Sequence, residues 1–212
     1  MYQQLGAQDA QFIYAQTPNN LTHVMGVNVY DPATAPGGKV GLRDIIAHIN
    51  SRVHISPVFR QKLYRPPFNI DHPYWVADEH FDLEAHVTHS RIPEPGDWHA
   101  FASAVSRHFS RPMDMNRPLW DLHVLEGLGN VEGFAGNSYA VMIRLHHAAV
   151  DGIAASRLMA ALSDRDVRGT PVIELGDPVT ELGRRPVSSD LLKRAARSTI
   201  SSPVKMTSSL LK

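Results

Sequence analysis

The stretch Leu145-His146-His147-Ala148-Ala149-Val150-Asp151-Gly152 joins two segments that differ in hydrophobic periodicity. The run 139–145, which precedes it, is apolar and typical of a buried β-strand. Residues 153–162, which follow it, carry apolar side chains at helical spacing. Asp151 can cap that helix, because a carboxylate accepts hydrogen bonds from the unpaired N–H groups of a first helical turn. The pattern therefore places both histidines where a strand turns into a helix.

The two adjacent histidines are the first candidates for chemistry. Side chains alternate across a strand, so we expect His146 and His147 to point in different directions, one toward a cavity and the other inward. A neutral imidazole is abundant near neutral pH and can take a proton from a hydroxyl group. The alternative is a pair of core histidines beside a capping aspartate, since most histidines are structural or exposed. Average composition makes a chance His-His-x-x-x-Asp-Gly in such a chain rarer than about one in a hundred, which favours a functional motif.

Two motifs and the start of the chain carry a family resemblance. His146-His147-x-x-x-Asp151-Gly152 resembles the active-site motif of the CoA-dependent acyltransferases, which include chloramphenicol acetyltransferase and peptide-synthetase condensation domains. Pro118-Leu119-Trp120 is similar to the PLW motif of the bacterial wax ester synthase/diacylglycerol acyltransferase family. Residues 6–12 and Thr22-His23-Val24 also resemble the start of that family. The resemblance covers roughly residues 1–165, and the order of the two motifs indicates this family within the superfamily.

For the fold, the resemblance implies an α/β (α+β) protein with the chloramphenicol acetyltransferase-like sandwich, a mixed β-sheet flanked by helices. It implies one half of a two-half enzyme, with residues 1–165 as the N-terminal acyltransferase half-domain. Residues 166–212 would then be a linker, either a basic amphipathic helix or a flexible tail. The motifs of the second half, among them an Asn-Asp pair, have no counterpart in the sequence. A C-terminal half is therefore an expected partner, in cis or as a separate chain.

For the function, the resemblance implies an O-acyltransferase that moves a long-chain acyl group from acyl-CoA to the hydroxyl of diacylglycerol or a fatty alcohol. His147 would be the general base, with His146 beside it and Asp151 orienting the turn through an arginine that the sequence does not identify. Gly152 would allow close packing at the helix start, and Pro118-Leu119-Trp120 would build a wall of the site. Acyl-CoA would be a co-substrate, and no cofactor is expected. The alternative is a catalytically incomplete half-module that binds a partner and whose histidines are structural.

The composition excludes several classes of function. The 21 Lys and Arg residues balance the 21 Asp and Glu residues, so no excess charge indicates a nucleic-acid partner. The absence of cysteine excludes a thiol nucleophile, a disulfide framework and cysteine metal ligands. No apolar run approaches the ~20 residues that span a bilayer, and the first residues lack the features of a signal peptide. We therefore expect a cytoplasmic protein, for which any contact with a membrane or lipid inclusions is peripheral.

Four histidines in the middle of the chain do not predict a metal site. Their spacing fits no compact ligand set, and no clustered carboxylates complete one. These residues are His72, His80, His86 and His89. We therefore expect no metal.

Hydrophobic periodicity and turn residues predict the remaining elements. The turn at 128–133 should let the two strands around it form a hairpin, which would put the PLW strand beside the strand that delivers the histidines. Residues 82–87 are expected to be extended. Helices are expected over 7–16, 40–53, 97–109 and 152–163, and strands over 22–30, 59–64, 72–76, 119–126 and 137–147.

Overall fold

The computed structural model describes residues 3–69, 71–150, 152–164 and 169. Seven β-strands and four α-helices lie in these ranges, connected by loops and 3₁₀ turns. The strands are β1 (Gln3–Gln4), β2 (His23–Tyr30), β3 (Gln61–Tyr64), β4 (Tyr74–Ala77), β5 (Val87–Arg91), β6 (Trp120–Glu126) and β7 (Tyr139–His146). The helices are α1 (Ala7–Ala15), α2 (Leu42–Asn50), α3 (Trp98–Phe109) and α4 (Gly152–Leu162).

The strands form two sheets. β2, β7, β6 and β5 lie side by side in this order and form a four-stranded mixed sheet, in which only β5 and β6 are parallel neighbours. α3 lies in the connection between β5 and β6, as expected because parallel strands need a long crossover. β1, β4 and β3 form a three-stranded antiparallel sheet. Mixed sheet and helices together are the α/β class that the sequence predicts.

Apolar side chains cover both faces of the four-stranded sheet. On one face, Ile143 of β7 belongs to a buried cluster that also contains Ile49 of α2 and Leu162 of α4. On the other face, Met142 belongs to a second cluster with Phe101 of α3. Successive side chains of a strand point to opposite faces, so neighbouring residues of β7 serve different cores. This explains why the strand reads as a continuous apolar run, since both of its faces are buried.

A third buried cluster joins α1 to the three-stranded sheet and to one end of the larger sheet. It contains Ala10 and Ile13 from α1 and Trp75 from β4. It also contains Leu119, just before β6, and Ala148, just after β7. Because α1 is anchored on this cluster, the N-terminal part of the chain lies against the turn that carries the two histidines.

The four predicted helices and the hairpin of β6 and β7 are confirmed, with bounds that differ by a few residues. The extended segment predicted over 82–87 is wrong in its first part, because Glu84–His86 form a 3₁₀ turn and β5 starts only at Val87. The Asp82 carboxylate accepts a hydrogen bond from the Glu84 N–H at 3.0 Å. Such a local side-chain bond offers the backbone an alternative to the extended state.

The helices also bear on membrane contact. None of those in the described ranges is long and apolar enough to cross a bilayer. The predicted linker, residues 166–212, lies outside those ranges except for Gly169. Its basic amphipathic helix therefore stays a prediction.

A buried ion pair links β6, β7 and the end of α3. Arg144 is 3% exposed and faces Asp121 across the ladder, and its Nε and Nη2 atoms donate to the two carboxylate oxygens at 3.0 and 2.5 Å. Its Nη1 atom donates to the backbone carbonyls of His108 and Arg111 at 2.8 and 2.6 Å, where α3 ends. Burial alone would raise the pKa of Asp121, but the neighbouring His108 and Arg144 side chains outweigh it and lower the pKa. The carboxylate therefore stays charged and paired.

Replacing Arg144 with methionine should lower the free energy of unfolding by about 3 kcal/mol, because it leaves the partly buried carboxylate of Asp121, 22% exposed, without its guanidinium partner. Urea unfolding followed by circular dichroism measures the loss. The matched control is Arg117→Met, since Arg117 pairs with Asp114 on the surface, where both side chains are 51% exposed. Such surface pairs contribute less than about 1 kcal/mol. Similar losses in the two variants would contradict the role assigned to Arg144.

Candidate active site

The histidine turn is held by backbone hydrogen bonds from both neighbouring strands. His146, the last residue of β7, donates its N–H to the carbonyl of Leu119 at 3.0 Å. The N–H of His147 donates to the carbonyl of Thr22 at 2.9 Å. The N–H of Ala149 returns to the carbonyl of His146 at 2.9 Å and closes the turn. The backbone of both histidines is therefore held by Leu119 and Thr22, which lie in other parts of the sequence.

His146 is enclosed and hydrogen-bonded within the protein. Its side chain is fully buried, and its Nδ1 atom accepts a hydrogen bond from the N–H of Ala148 at 3.0 Å. Since a backbone N–H can only donate, Nδ1 is unprotonated and the ring proton sits on Nε2. The Nε2–H group donates a hydrogen bond to Gln16 Oε1 at 2.6 Å. Nε2 also lies 3.0 Å from Thr22 Oγ1. Burial, with smaller effects of His23 and His147, lowers the pKa of His146 to about 4, so its ring is neutral.

His147 lies in a different environment, as strand alternation predicts. Its side chain is half-buried, and its ring stacks on the ring of Phe12 with centroids 5.0 Å apart and planes at 21°. No described residue gives its ring nitrogens a hydrogen bond. Among the described residues, both ring nitrogens of His146 thus have partners, whereas the ring of His147 has a stacking partner only.

The structure describes part of the remaining motif. α4 begins at Gly152, where the sequence predicts the helix start. Asp151 lies outside the described residues, so its cap and its salt bridge stay predictions. Arg144, the arginine nearest to the motif in sequence, uses its guanidinium group on Asp121 and on the end of α3.

The PLW residues support the turn from the side of β6. The carbonyl of Leu119 accepts a hydrogen bond from the N–H of His146. The Leu119 side chain is fully buried. The carbonyl of Pro118 accepts the N–H of Trp120 at 2.8 Å. Trp120 is 1% exposed, and its indole N–H donates to the carbonyl of Phe59 at 3.0 Å. The backbone of Leu119 thus supports the turn, while the Leu119 and Trp120 side chains are packed in the interior.

Three residues that contact the histidines were not predicted as site residues. Phe12 and Thr22 lie in stretches that resemble the family's start, which was the available signal. Gln16 carries no local signal, because its partner His146 is 130 residues away in sequence. Contacts of this kind can be found only in the folded chain.

The side chains of three of the four histidines considered for a metal site have other neighbours. His86 is buried, and its Nδ1 lies 2.8 Å from the carbonyl oxygen of Trp120. His89 Nε2 lies 3.3 Å from the carboxylate of Glu126, and His72 Nδ1 lies 3.0 Å from the hydroxyl of Tyr14. Within the described ranges no three His, Asp or Glu side chains are arranged to hold a metal ion.

A surface cleft of about 510 Å³ lies at the other end of the larger sheet. Its wall includes Tyr139, the first residue of β7, whereas His146 is the last. At a rise of ~3.3 Å per residue, the strand separates the two places by roughly 20 Å. The cleft is therefore distinct from the histidine turn.

Known proteins are similar in sequence to this chain. A family model described as the wax ester synthase/diacylglycerol acyltransferase catalytic domain matches residues 5–211. Two Mycobacterium tuberculosis proteins, whose names assign them to the diacylglycerol O-acyltransferases, are 35% identical over 176 residues and 33% identical over 169 residues. The matches cover 79% and 80% of this chain but 34% of each relative. The chain thus spans about a third of the length of these relatives.

Solved structures share the fold. A wax ester synthase/diacylglycerol acyltransferase from Marinobacter aquaeolei VT8 matches with a TM-score of 0.56 at 29% identity, over 73% of this chain and 36% of that one. The starter condensation domain of rhizomide synthetase matches with a TM-score of 0.56 at 17% identity, over 95% of this chain and 45% of that one, which shows the fold alone. The predicted chloramphenicol acetyltransferase-like fold is confirmed. With the family model matching nearly its whole length, the chain belongs to the wax ester synthase/diacylglycerol acyltransferase family.

Proposed function

We propose that this chain supplies the general base of an acyl-CoA-dependent O-acyltransferase. The observation that supports the proposal is the contrast within the histidine turn. His146 is buried and hydrogen-bonded through both ring nitrogens. The ring of His147 is half-buried and is left without a hydrogen bond by the described residues. Family membership supplies the class of reaction, and the turn supplies one imidazole that can perform its proton transfer.

The proposed reaction is an acyl transfer from a thioester to an alcohol. A ring nitrogen of His147 accepts the hydroxyl proton while the alcohol oxygen attacks the thioester carbonyl carbon. The new C–O bond forms, the C–S bond breaks, and the CoA thiolate takes the proton from the imidazolium. The products are the ester and free CoA, and the histidine returns to its neutral state. Because the alcohol attacks the thioester directly, the step requires no acyl-enzyme. Acyl-CoA is a co-substrate, and the proposed step uses no cofactor.

The proposed substrates rest on the names of the relatives, which are diacylglycerol O-acyltransferases and a wax ester synthase/diacylglycerol acyltransferase. The donor would be a long-chain acyl-CoA. The acceptor would be diacylglycerol, which gives triacylglycerol, or a fatty alcohol, which gives a wax ester. Both acceptors are strongly apolar and partition out of water. A cytoplasmic enzyme would therefore meet them through peripheral contact with a membrane or with lipid inclusions.

The proposed partner is a C-terminal half, either in cis or as a separate chain. The matched part accounts for about a third of the relatives' length. His147 is half-buried, so a second wall is needed to enclose it together with two substrates. Enclosure matters because water in the site would compete with the alcohol for the thioester.

A second candidate function is a binding half-module in which both histidines are structural. It is favoured by one observation, namely that His146 is fully buried and hydrogen-bonded through both ring nitrogens. The two candidates differ in a measurable outcome. Adding a polypeptide with the remaining part of a mycobacterial relative should produce acyl transfer only if this chain carries catalytic groups.

His147→Ala should lower the turnover number by roughly a hundredfold or more, the usual contribution of a positioned general base. The KM for acyl-CoA should change much less, because the imidazole acts on the proton of the acceptor. The measurement is CoA release with diacylglycerol and with a fatty alcohol. It is made with the full chain alone and with the chain completed by the remaining part of a mycobacterial relative. Full activity in a folded His147→Ala protein would exclude the general-base role.

His146 should make the fold sensitive to mild acid. Its folded-state pKa of about 4 lies below its ordinary value of 6.5, so the unfolded chain binds the proton more readily. This group should leave the free energy of unfolding unchanged above about pH 6.5 and lower it from there to about pH 4, by about 3 kcal/mol in full. Burial also lowers the pKa of His123 to about 4, which adds a loss in the same window.

Urea unfolding at about pH 7 and about pH 5 tests this expectation. The His146→Gln variant should lose less free energy of unfolding between the two pH values than the unsubstituted chain, because the shifted pKa of His146 no longer contributes. The loss that remains comes from His123 and from the other titrating groups. His123→Gln is the matched control and should retain the loss due to His146. If His146→Gln and the unsubstituted chain lose the same free energy, His146 is not held neutral by burial.

A further inference from the structure

Helix α1 and the residue that follows it contact the two histidines of the turn. The ring of Phe12 stacks on the ring of His147, and Gln16, just after the helix, meets His146 Nε2 at 2.6 Å. The backbone carbonyl of Phe12 also accepts a hydrogen bond from Thr22 Oγ1 at 2.9 Å. Thr22 in turn holds the N–H of His147 through its own carbonyl. The short segment formed by α1 and Gln16 thus contacts the imidazoles of His146 and His147 and the segment that supports their backbone.

The side chain of His147 needs an orienting contact. Its backbone is fixed by Thr22, but two side-chain torsions still decide where the ring nitrogens point. In the described part of the chain no hydrogen bond fixes them. The stacked ring of Phe12, nearly parallel at 21°, is the contact that can restrict the tilt of the imidazole.

The tilt of the ring decides whether proton transfer can occur. The lone pair of a neutral imidazole lies in the ring plane, so a hydroxyl must approach along the ring edge. A displaced base loses much of its effect, because a misplacement of about 1 Å can cost a hundredfold in rate. An aromatic face beneath the ring also attracts the positive charge that the imidazole acquires when it takes the proton.

We propose that Phe12 is a positioning residue for the general base, covering one face of the His147 ring so that its nitrogen edge meets the acceptor hydroxyl. The inference rests on the proposed function of His147. Phe12 itself is half-buried, whereas α1 is anchored by the buried Ala10 and Ile13. Loss of the Phe12 ring should therefore change the imidazole without unfolding the helix.

The test compares Phe12→Leu and Phe12→Tyr in the chain completed by the remaining part of a mycobacterial relative. Phe12→Leu should lower kcat by between about 10- and 100-fold, with the KM for acyl-CoA changed by less than about twofold. Phe12→Tyr keeps an aromatic face and should restore most of kcat. The matched control is Phe109→Leu, which removes a phenyl ring from another histidine, His23, at 4.8 Å. It should leave kcat unchanged.

Proton NMR of the unsubstituted chain gives a readout that does not depend on activity. The imidazole C–H signals of His147, identified by their loss in His147→Ala, should be shifted upfield by the ring current of Phe12. They should move downfield in Phe12→Leu and stay in place in Phe109→Leu. Absence of that movement would overturn the stacking contact.

The kinetic outcomes separate this inference from the proposed function. If His147→Ala is inactive while Phe12→Leu keeps its full kcat, the positioning role is wrong and the general base stands. If Phe12→Leu loses activity only in proportion to a loss of folded protein, and Phe12→Tyr does not recover it, Phe12 is merely structural. If both His147→Ala and Phe12→Leu are fully active, the proposed function and the inference fail together.

Discussion

The guanidinium group of Arg144 sets the geometry on which the histidine turn depends. It pairs with Asp121, which lies directly across the ladder between β6 and β7, and it binds backbone carbonyls at the end of α3. A shift by one residue in this ladder would turn every side chain of β7 to the opposite face. The same register places the carbonyl of Leu119 beside the N–H of His146. A buried charge that has few acceptable partners therefore helps to define where the strand ends and where the turn begins.

Two chemically identical side chains at the end of this strand acquire different properties from their surroundings. His146 is enclosed, its tautomer is set by the N–H of Ala148, and burial lowers its pKa to about 4. His147 lies on the turn, where its ring meets an aromatic face and its ring nitrogens have no hydrogen bond with a described residue. The neutral and fully hydrogen-bonded His146 holds the turn, and His147 is the residue proposed to react. This division explains how a paired histidine motif can carry one structural and one proposed catalytic residue.

The arrangement also accounts for the PLW residues and the N-terminal helix. Leu119 and Trp120 pack in different buried clusters, and the backbone of Leu119 reaches the turn. Helix α1 closes the turn from the other side through Phe12 and Gln16. The side chain of His147 is only half-buried by the described residues. In the proposed enzyme, this is where a second half would provide the other wall for the acyl donor and the lipid alcohol.

Local patterns in the sequence are sufficient for the helices, the strand that leads to the histidines, its hairpin with the PLW strand and the family. Each of these depends on residues close together in the chain, whose periodicity reflects which faces are buried. The sequence left open which histidine faces inward, and it assigned no role to Gln16 or Phe12. It also left Arg144 unassigned, although Asp121 lies 23 residues away on the neighbouring strand. Burial and ring stacking arise from contacts between distant segments, such as that of Gln16 with His146, 130 residues away, and such contacts leave no periodic trace in the sequence around either partner.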